Sequence, residues 1–198
     1  MKLKGLLFLI CGPSGVGKGT VIDVLKKKYP EFIFPISHTT RPIRPSEMEG
    51  QVYHFISVDE FKNEIAKGNF LEWARVHEKD YYGTLKQPIL DALEAGKIVI
   101  REVDVQGFHS IRKVIPHENL VSIFLKAENM EKLLERIARR GKLPDEEIRR
   151  RMESAKHELK DANLFSYQVW SLENKIPECV SDVEDIIIKH AKKAGLKI

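Results

Sequence analysis

The chain has 198 residues, a length that favours a single domain, and 42% of its residues are apolar. With 31% charged residues, this composition excludes a disordered chain, a collagen-like fibre and a small fold held by disulfides. The formal net charge of +4 is too small to indicate nucleic acid by itself, but it suits an anionic ligand. The two cysteines, Cys11 and Cys179, indicate free thiols in a reducing compartment.

The amino-terminal segment has some features of a secretory signal, since Lys2 and Lys4 precede an apolar run at residues 6–11. That run is short, and no small-residue cleavage site follows it. We therefore interpret it as a buried strand that enters a glycine-rich loop. No other apolar run approaches the roughly 18 residues of a membrane span. We expect a cytoplasmic protein with no membrane partner.

Short apolar runs alternate with helical patterns along most of the chain. The predicted strands cover residues 6–11, 33–37, 98–103, 121–125 and 167–170. Ser57 with Glu60, and Ser181 with Glu184, have the spacing of capping boxes that begin helices. This alternation predicts an α/β fold in which a mostly parallel sheet is covered by helices on both faces.

Two stretches depart from the alternation. Residues 38–84 hold basic, aromatic and acidic side chains on short strands and loops, whereas residues 130–160 form a strongly basic pair of helices. Such additions to a core sheet are where substrate pockets and lids usually lie. We predict one domain over residues 1–198, with its core at residues 1–37, 85–129 and 161–198.

The strongest functional signal directly follows the first predicted strand. It consists of Gly12, Pro13, Ser14, Gly15, Val16, Gly17, Lys18, Gly19 and Thr20. Glycines allow a tight turn whose backbone N–H groups point at phosphate oxygens, and the following helix adds its positive end. Lys18 would reach the β- and γ-phosphates of ATP, so the motif predicts the sheet of a P-loop NTPase. Gly19 stands where the strict pattern has Ser or Thr, which leaves open whether Thr20 contributes its hydroxyl to magnesium.

A second group of residues suits a phosphate monoester. Arg41 and Arg44 lie on a proline-rich loop and present two guanidinium forks, to which Tyr53 and Tyr82 would add hydroxyl donors. The alternative for the arginine pair is a solvated surface, which the neighbouring prolines make less favourable. Glu72 lies among apolar residues, and its spacing alone does not decide between base recognition and a solvent-facing position in a strand.

Several motifs in the same order make the sequence similar to the guanylate kinase family. They are SHTTRPIRPSE at 37–47 with Gly50 and Tyr53, FLEWA at 70–74, YGT at 82–84 and VDVQG at 103–107. The helical residues Arg136, Arg140, Gly141, Arg151 and Glu158 extend a resemblance that runs from about residue 5 to about residue 185. It implies ATP-dependent phosphorylation of GMP and dGMP in purine nucleotide metabolism, with Mg²⁺ accompanying ATP.

The resemblance also implies roles for individual residues. A GMP pocket at 38–84 and its borders would include Ser37, Arg41, Arg44, Glu47, Tyr53, Glu72, Tyr82, Thr84 and Asp104. A lid at about 130–160 would bring Arg136 and Arg140 to ATP. The implied catalytic residues are Lys18, Arg41, Arg44, Asp104, Arg136, Arg140 and Arg151. Asp104 would hold magnesium-bound water or position Lys18, and capping of the next helix is its alternative.

The arginines of residues 130–160 have two other interpretations, a nucleic-acid patch and a solvated face. Arg136 and Arg140 are four residues apart and share a helix face, whereas the consecutive residues 149–151 do not. We interpret Arg139, Arg149 and Arg150 as solvated and predict no nucleic-acid partner. The sequence indicates no oligomeric state.

Three positions depart from the family's pattern: Ser46 replaces a usual Gly, Ser171 replaces an Asn near adenine, and Arg101 lies inside a buried strand. The sequence offers no account of Arg101. Two other functions stay open, namely a non-catalytic guanylate kinase-like module that binds phosphopeptides and a related kinase for a phosphorylated sugar. An intact Lys18 argues against the first, and the second would not need Glu72.

Overall fold

In the computed structural model, which describes residues 3–76, 79–139 and 144–198, one sheet has four strands that all run parallel. They are β1 (Leu6–Cys11), β6 (Ile98–Glu102), β7 (Leu120–Ala127) and β8 (Tyr167–Ser171), in the spatial order β6-β1-β7-β8. Every side chain of β1 is buried, with Phe8 in one core cluster and Leu9 in the other. A parallel sheet covered on both faces requires such a continuous apolar strand.

Helices cover the two faces of this sheet. One core cluster receives side chains of α1 (Lys18–Lys28), α5 (Met130–Arg139) and α7 (Ile176–Lys193). The other cluster receives side chains of α3 (Lys86–Glu94) and α4 (Val105–Ile111). The remaining helix of this part is α6 (Asp145–Lys160), and single 3₁₀ turns occupy His117–Asn119 and Ala162–Leu164. The expected α/β architecture is confirmed.

A second sheet occupies the predicted insertion. Its strands within the described residues are β2 (Ser37–Thr39), β3 (Tyr53–Phe55), β4 (Phe70–Val76) and β5 (Asp80–Leu85), in the order β3-β2-β5-β4. Only the β2–β3 pair among them is parallel. Helix α2 (Val58–Ala66) covers this sheet, with the fully buried ring of Phe61 stacked on Phe70 at 4.2 Å.

The boundaries of four predicted strands are confirmed to within two residues, but the prediction of a strand at 33–37 is wrong. Ile33 makes a single bridge to Val99, and β2 begins only at Ser37. Pro35 has no N–H to donate to a ladder, so the chain leaves the first sheet there and enters the second.

One of the two predicted capping boxes is confirmed. Ser57 and Glu60 exchange both bonds at the start of α2, with Glu60 N donating to Ser57 Oγ at 3.2 Å. The other prediction is wrong, because α7 begins five residues before Ser181, with Pro177 in its first turn. Glu184 instead accepts bonds from Lys28 and Tyr29, which joins α7 to the end of α1.

Both cysteines are free and buried. Burial raises the pKa of the Cys11 thiol to about 12 and that of Cys179 to about 11, so neither forms a thiolate readily. Among the helices of the described residues, none combines the length and apolar character needed to cross a bilayer.

Candidate active site

A cleft of about 810 Å³ is lined by residues of both sheets at the carboxyl end of β1. Its volume suits a small-molecule ligand, and open α/β sheets bind ligands at this edge. The predicted residues that line it are Gly12, Ser14, Gly15, Gly17, Lys18, Gly19, Ser37, Tyr53, Glu72, Tyr82 and Asp104. The predicted residues outside this lining are Pro13, Val16, Thr20, Arg41, Arg44, Glu47, Thr84, Arg136 and Arg151.

The glycine-rich loop between β1 and α1 requires glycine on steric grounds. Gly12 has φ of 141°, and a Cβ there would lie 2.5 Å from the backbone oxygen of Leu125. Gly15 has φ of 83°, and its Cβ would meet Ile137 Cγ1 at 2.8 Å. No larger residue therefore fits at either position. The loop leads into α1, whose first N–H groups lack intrahelical partners, and Gly17, Lys18 and Gly19 at this end line the cleft.

Lys18 turns back over the loop that precedes it. Its Nζ donates to the Gly12 carbonyl at 2.6 Å and to the Pro13 carbonyl at 3.3 Å. Glu102 Oε1, at the end of β6, lies 3.8 Å from the same nitrogen. The ammonium group is thus held beside the loop amides, where an anion bound by those amides would meet it.

Asp104 caps a helix and also faces the cleft. It is the N-cap of α4, where its Oδ1 accepts a bond from the backbone N–H of Gly107 at 2.7 Å. The capping alternative is therefore observed, and Asp104 also lines the cleft. Glu158 of α6 lines the same region, and its burial raises the pKa of its carboxyl group above the usual range.

Across the cleft, Glu72 projects from β4 and is held at one carboxylate oxygen. Thr84 Oγ1 donates to Glu72 Oε1 at 2.7 Å, and Arg101 Nη2 donates to that oxygen at 3.1 Å. Among the described residues, Oε2 accepts no hydrogen bond from the protein, and the side chain lines the cleft. Of the two interpretations of Glu72, the solvent-facing one fails, because its side chain is only 14% exposed.

Arg101 links the two sheets at this point. Its Nη2 also donates to Ser37 Oγ at 2.8 Å, and its Nη1 donates to the Pro35 carbonyl at 3.3 Å. Its Nε is buried and has no acceptor among the described residues, which costs about 1 to 3 kcal/mol. The three hydrogen bonds that its Nη1 and Nη2 donate offset this cost.

Arg41 is fixed by a bidentate ion pair with Glu47. Its Nη1 and Nη2 donate to the two carboxylate oxygens at 2.7 and 2.6 Å. These bonds hold the pKa of Glu47 at about 2 and raise that of Arg41 further above its usual range. Arg44 is exposed and donates its backbone N–H to Glu47 at 3.0 Å. Glu47 thus organises the arginine loop and does not line the cleft.

Aromatic rings lie beside this arginine. The Arg41 guanidinium is 5.2 Å from the ring centre of Tyr53 and 5.4 Å from that of Phe55, a cation–π arrangement. The rings of Tyr53 and Tyr82 are 5.6 Å apart, and both line the cleft. Burial raises the pKa of Tyr53, so its hydroxyl keeps its proton and remains a donor.

On the far side of the glycine loop, Arg136 of α5 lies against the end of β8. Its Nη2 donates to the Ser171 carbonyl at 2.9 Å, and its Nη1 lies 3.3 Å from Ser171 Oγ. Ser171, fully buried, donates in turn to the Val16 carbonyl of the loop at 2.6 Å. Together with Thr20, Arg136 lines an adjoining cavity of about 250 Å³.

Arg151 of α6 reaches the same loop from another direction. Its Nε donates to Glu147 at 2.8 Å, and its Nη1 lies 3.5 Å from Ser14 Oγ. Arg140 and Gly141 lie outside the described residues. The exposed Arg139 pairs with Glu173 at 2.8 Å.

Sequence reasoning missed that Arg101 and Glu102 line the cleft. Both follow buried residues of β6, and Glu102 lies beside Lys18. A charged pair that interrupts an apolar strand at its carboxyl end was the available signal. Ser46 lies in a turn and has no positive φ, so glycine is not required there.

Comparisons with known proteins agree on one family. A family model described as guanylate kinase matches residues 4–190. The guanylate kinase of Helicobacter pylori is 41% identical over 186 residues, 94% of this chain and 86% of that protein. That of Thermotoga maritima is 37% identical over 196 residues, 99% of this chain and 90% of that protein. The crystal structure of guanylate kinase from Anaplasma phagocytophilum superposes with a TM-score of 0.71 at 25% identity, covering 95% of this chain and 87% of that chain.

Proposed function

This chain belongs to the guanylate kinase family, and from that premise we propose that it transfers a phosphoryl group from ATP to GMP or dGMP. The observation that carries the proposal is the single cleft shared by the glycine loop and Glu72. A phosphate-binding loop and a base-reading carboxylate in one cleft are what a nucleoside monophosphate kinase needs, because both nucleotides must meet end to end.

ATP would bind along the glycine loop. The loop amides and the positive end of α1 would hold its phosphates, with Lys18 beside them. The adjoining cavity lined by Thr20 and Arg136 would take the adenosine side. The proposed ATP-binding residues are Gly12, Pro13, Ser14, Gly15, Val16, Gly17, Lys18, Gly19, Thr20, Arg136 and Arg140.

GMP would bind in the part of the cleft that belongs to the second sheet. Glu72 would accept hydrogen bonds from guanine, and Ser37 would contact the base edge beside it. Arg41 and Arg44, with Tyr53 and Tyr82, would hold the phosphate that attacks ATP. Thr84 and Glu47 support this pocket indirectly, because they hold Glu72 and Arg41 respectively.

The reaction would need no protein nucleophile. A phosphate oxygen of GMP attacks the γ-phosphorus in line with the departing ADP, and catalysis consists of positioning and stabilisation of charge. Lys18, Arg41, Arg44, Arg136, Arg140 and Arg151 would supply positive charge around the transferred group. Arg136 and Arg151 lie on the helices of the proposed lid, residues 130–160, and contact the loop in this structure.

Magnesium would accompany ATP. No cluster of three or more His, Cys, Asp or Glu side chains in the described part of the chain is arranged as a metal cage. Two residues with hard oxygen donors, Asp104 in the cleft and Thr20 in the first turn of α1, would suit a hydrated ion held mainly by phosphates. Bound in this way, Mg²⁺ would neutralise charge on the β- and γ-phosphates. Asp104 would then hold magnesium-bound water or position Lys18.

We also propose a cytoplasmic location for the enzyme. The two free, buried thiols suit a reducing compartment, and the proposed substrates are intracellular nucleotides.

The test is a coupled assay of ADP release with ATP and each of GMP, dGMP, AMP, CMP and UMP. We expect kcat/KM for GMP and dGMP to exceed those for the other three by at least about 100-fold, because a site built around hydrogen bonds rejects analogues that lack them. ATP binding without turnover of any acceptor would contradict the proposal. ATP-independent binding of a phosphopeptide would instead favour an interaction module.

A further inference from the structure

Arg101 contacts both residues that would read the base. A single nitrogen, Nη2, donates to Ser37 Oγ at 2.8 Å and to Glu72 Oε1 at 3.1 Å. We propose that Arg101 is a specificity-determining positioning residue, which favours Ser37 as a donor and orients Glu72 as an acceptor toward the base. This inference rests on the proposed function, because it concerns how the same pocket selects guanine.

The polarity of Ser37 follows from the chemistry of the guanidinium group. Arginine has donors and no acceptor, so the Ser37 oxygen must accept at Arg101. The hydroxyl hydrogen of Ser37 is then free to point elsewhere. Because Ser37 lines the cleft, it presents a donor to a ligand there. Without Arg101, both lone pairs of the hydroxyl would be open to a donor, whereas Arg101 occupies one of them and so favours donation toward the ligand.

The orientation of Glu72 follows from two bonds to one oxygen. Thr84 and Arg101 both donate to Oε1, from β5 and from β6, so the carboxylate is held from two different sheets. This leaves Oε2 for the cleft. A guanidinium partner also makes the bond charge-assisted, hence stronger than a neutral one.

The resulting pattern matches one purine. Guanine presents the O6 acceptor next to the N1–H and N2 donors, so a donor from Ser37 beside an acceptor from Glu72 is complementary to it. Adenine presents the reverse, an N6 donor next to the N1 acceptor. In β6, Arg101 directly follows the buried Ile100, and its Nε has no acceptor among the described residues. Discrimination between the purines therefore depends on Arg101 as well as on Glu72.

The test compares kcat/KM for GMP and AMP in the wild type, Arg101→Leu and Arg101→Lys, each shown to be folded by thermal melting. We expect Arg101→Leu to lower kcat/KM for GMP about 10- to 100-fold, mainly through KM, with little change for AMP or in KM for ATP. Arg101→Lys keeps a charged donor and should recover part of the GMP-to-AMP ratio. Arg112→Leu makes the same chemical change at an exposed arginine outside the cleft and serves as the control.

A double variant separates positioning from general damage. If Arg101 acts through its two partners, adding Arg101→Leu to the double variant Ser37→Ala, Glu72→Gln should lower kcat/KM for GMP by less than about 3-fold. An unchanged GMP-to-AMP ratio in folded Arg101→Leu, or full additivity in the combined variant, would overturn the inference. Failure of the proposed function is a separate result, since it would appear as a wild-type protein that does not phosphorylate GMP.

Discussion

At the scale of single residues, the Glu72 carboxylate both bonds within the fold and lines the cleft. Oε1 accepts bonds from Thr84 and Arg101, whereas Oε2 accepts none from the part of the protein that the structure describes. An ionised carboxylate only accepts hydrogen bonds, and guanine has two adjacent donors, N1–H and the N2 amine. Adenine offers a lone pair at N1 and lacks the second amine. Under the proposed function, the choice between the two bases would therefore depend on the charge of this carboxylate.

Replacing Glu72 with Gln should lower kcat/KM for GMP about 10- to 150-fold, which corresponds to roughly 1.5 to 3 kcal/mol. The amide nitrogen of Gln would face a hydrogen-bond donor of guanine, and two donors do not bond. The KM for ATP should change much less than kcat/KM for GMP. The measurement is kcat/KM for GMP and AMP in both proteins, with the exposed Glu118→Gln as the matched control. An unchanged GMP-to-AMP ratio would mean that Glu72 does not read the base.

Lys18 provides a second test at this scale. Its Nζ lies on the loop carbonyls of Gly12 and Pro13, so Lys18→Ala removes a charge from the proposed phosphate site without emptying the core. We expect kcat to fall by at least about 100-fold, since one such transition-state contact is worth about 3 kcal/mol or more. Lys27→Ala, an exposed change on the same helix, should have little effect. Near-normal turnover in folded Lys18→Ala would show that the glycine loop does not bind ATP for the reaction.

At the scale of elements, the loop between β2 and β3 depends on the Arg41–Glu47 pair. The pKa of Glu47 in the folded protein is about 2, below its ordinary value of 4.5. A lowered pKa means that the pair stabilises the folded state fully above pH 4.5. That stabilisation is lost as the pH falls from about 4.5 to about 2.

Melting temperatures between pH 6 and pH 2 test this loop. The melting temperature of the wild type should exceed that of Glu47→Gln at pH 6. This difference in melting temperature should vanish between pH 4.5 and pH 2, because the variant has no carboxyl group to protonate at residue 47. Glu118→Gln should follow the wild type at every pH. A gap that stays constant down to pH 2 would show that the ion pair does not stabilise the fold.

The elements themselves were predictable where local chemistry decides them. The apolar run of β1 and the capping box of α2 require only neighbouring residues. Ser181 shows the limit, because its capping pattern competes with Pro177, which starts the helix earlier. Likewise, the effect of Pro35 depends on which sheet the chain joins next, and that is decided by distant partners.

At the scale of the whole molecule, the site joins parts that are far apart in the sequence. Arg101 and Ser37 are 64 residues apart, and Arg136 and Val16 are 120 apart. A local pattern predicts the glycine loop, because all residues of that loop are consecutive in the sequence. It does not predict contacts such as that of Arg101, because these depend on how two sheets are placed. The sequence therefore identified the glycine loop and several other cleft residues, and missed the contacts of Arg101 that link the two sheets.

Arg136 tests whether the helices of residues 130–160 complete the site. It contacts the glycine loop and Ser171 here. In the proposed lid closure it would turn to the ATP phosphates, so Arg136→Ala should act on phosphoryl transfer and not on the acceptor pocket. We expect a fall in kcat of at least about 10-fold with KM for GMP changed less than about 3-fold, as for an interaction made mainly in the transition state. Arg149→Ala, exposed on α6, is the control. A loss confined to GMP affinity would place Arg136 in the acceptor pocket.

The central claim is that one cleft brings ATP and GMP together for direct phosphoryl transfer. Its most direct test is to incubate the wild-type protein with GMP and ATP labelled at the γ-phosphate, and to follow the label. The account predicts that the label appears in the β-phosphate of GDP, that ADP and GDP form in equal amounts, and that little free phosphate is released without GMP. Label released mainly as free phosphate, with no labelled GDP, would contradict it.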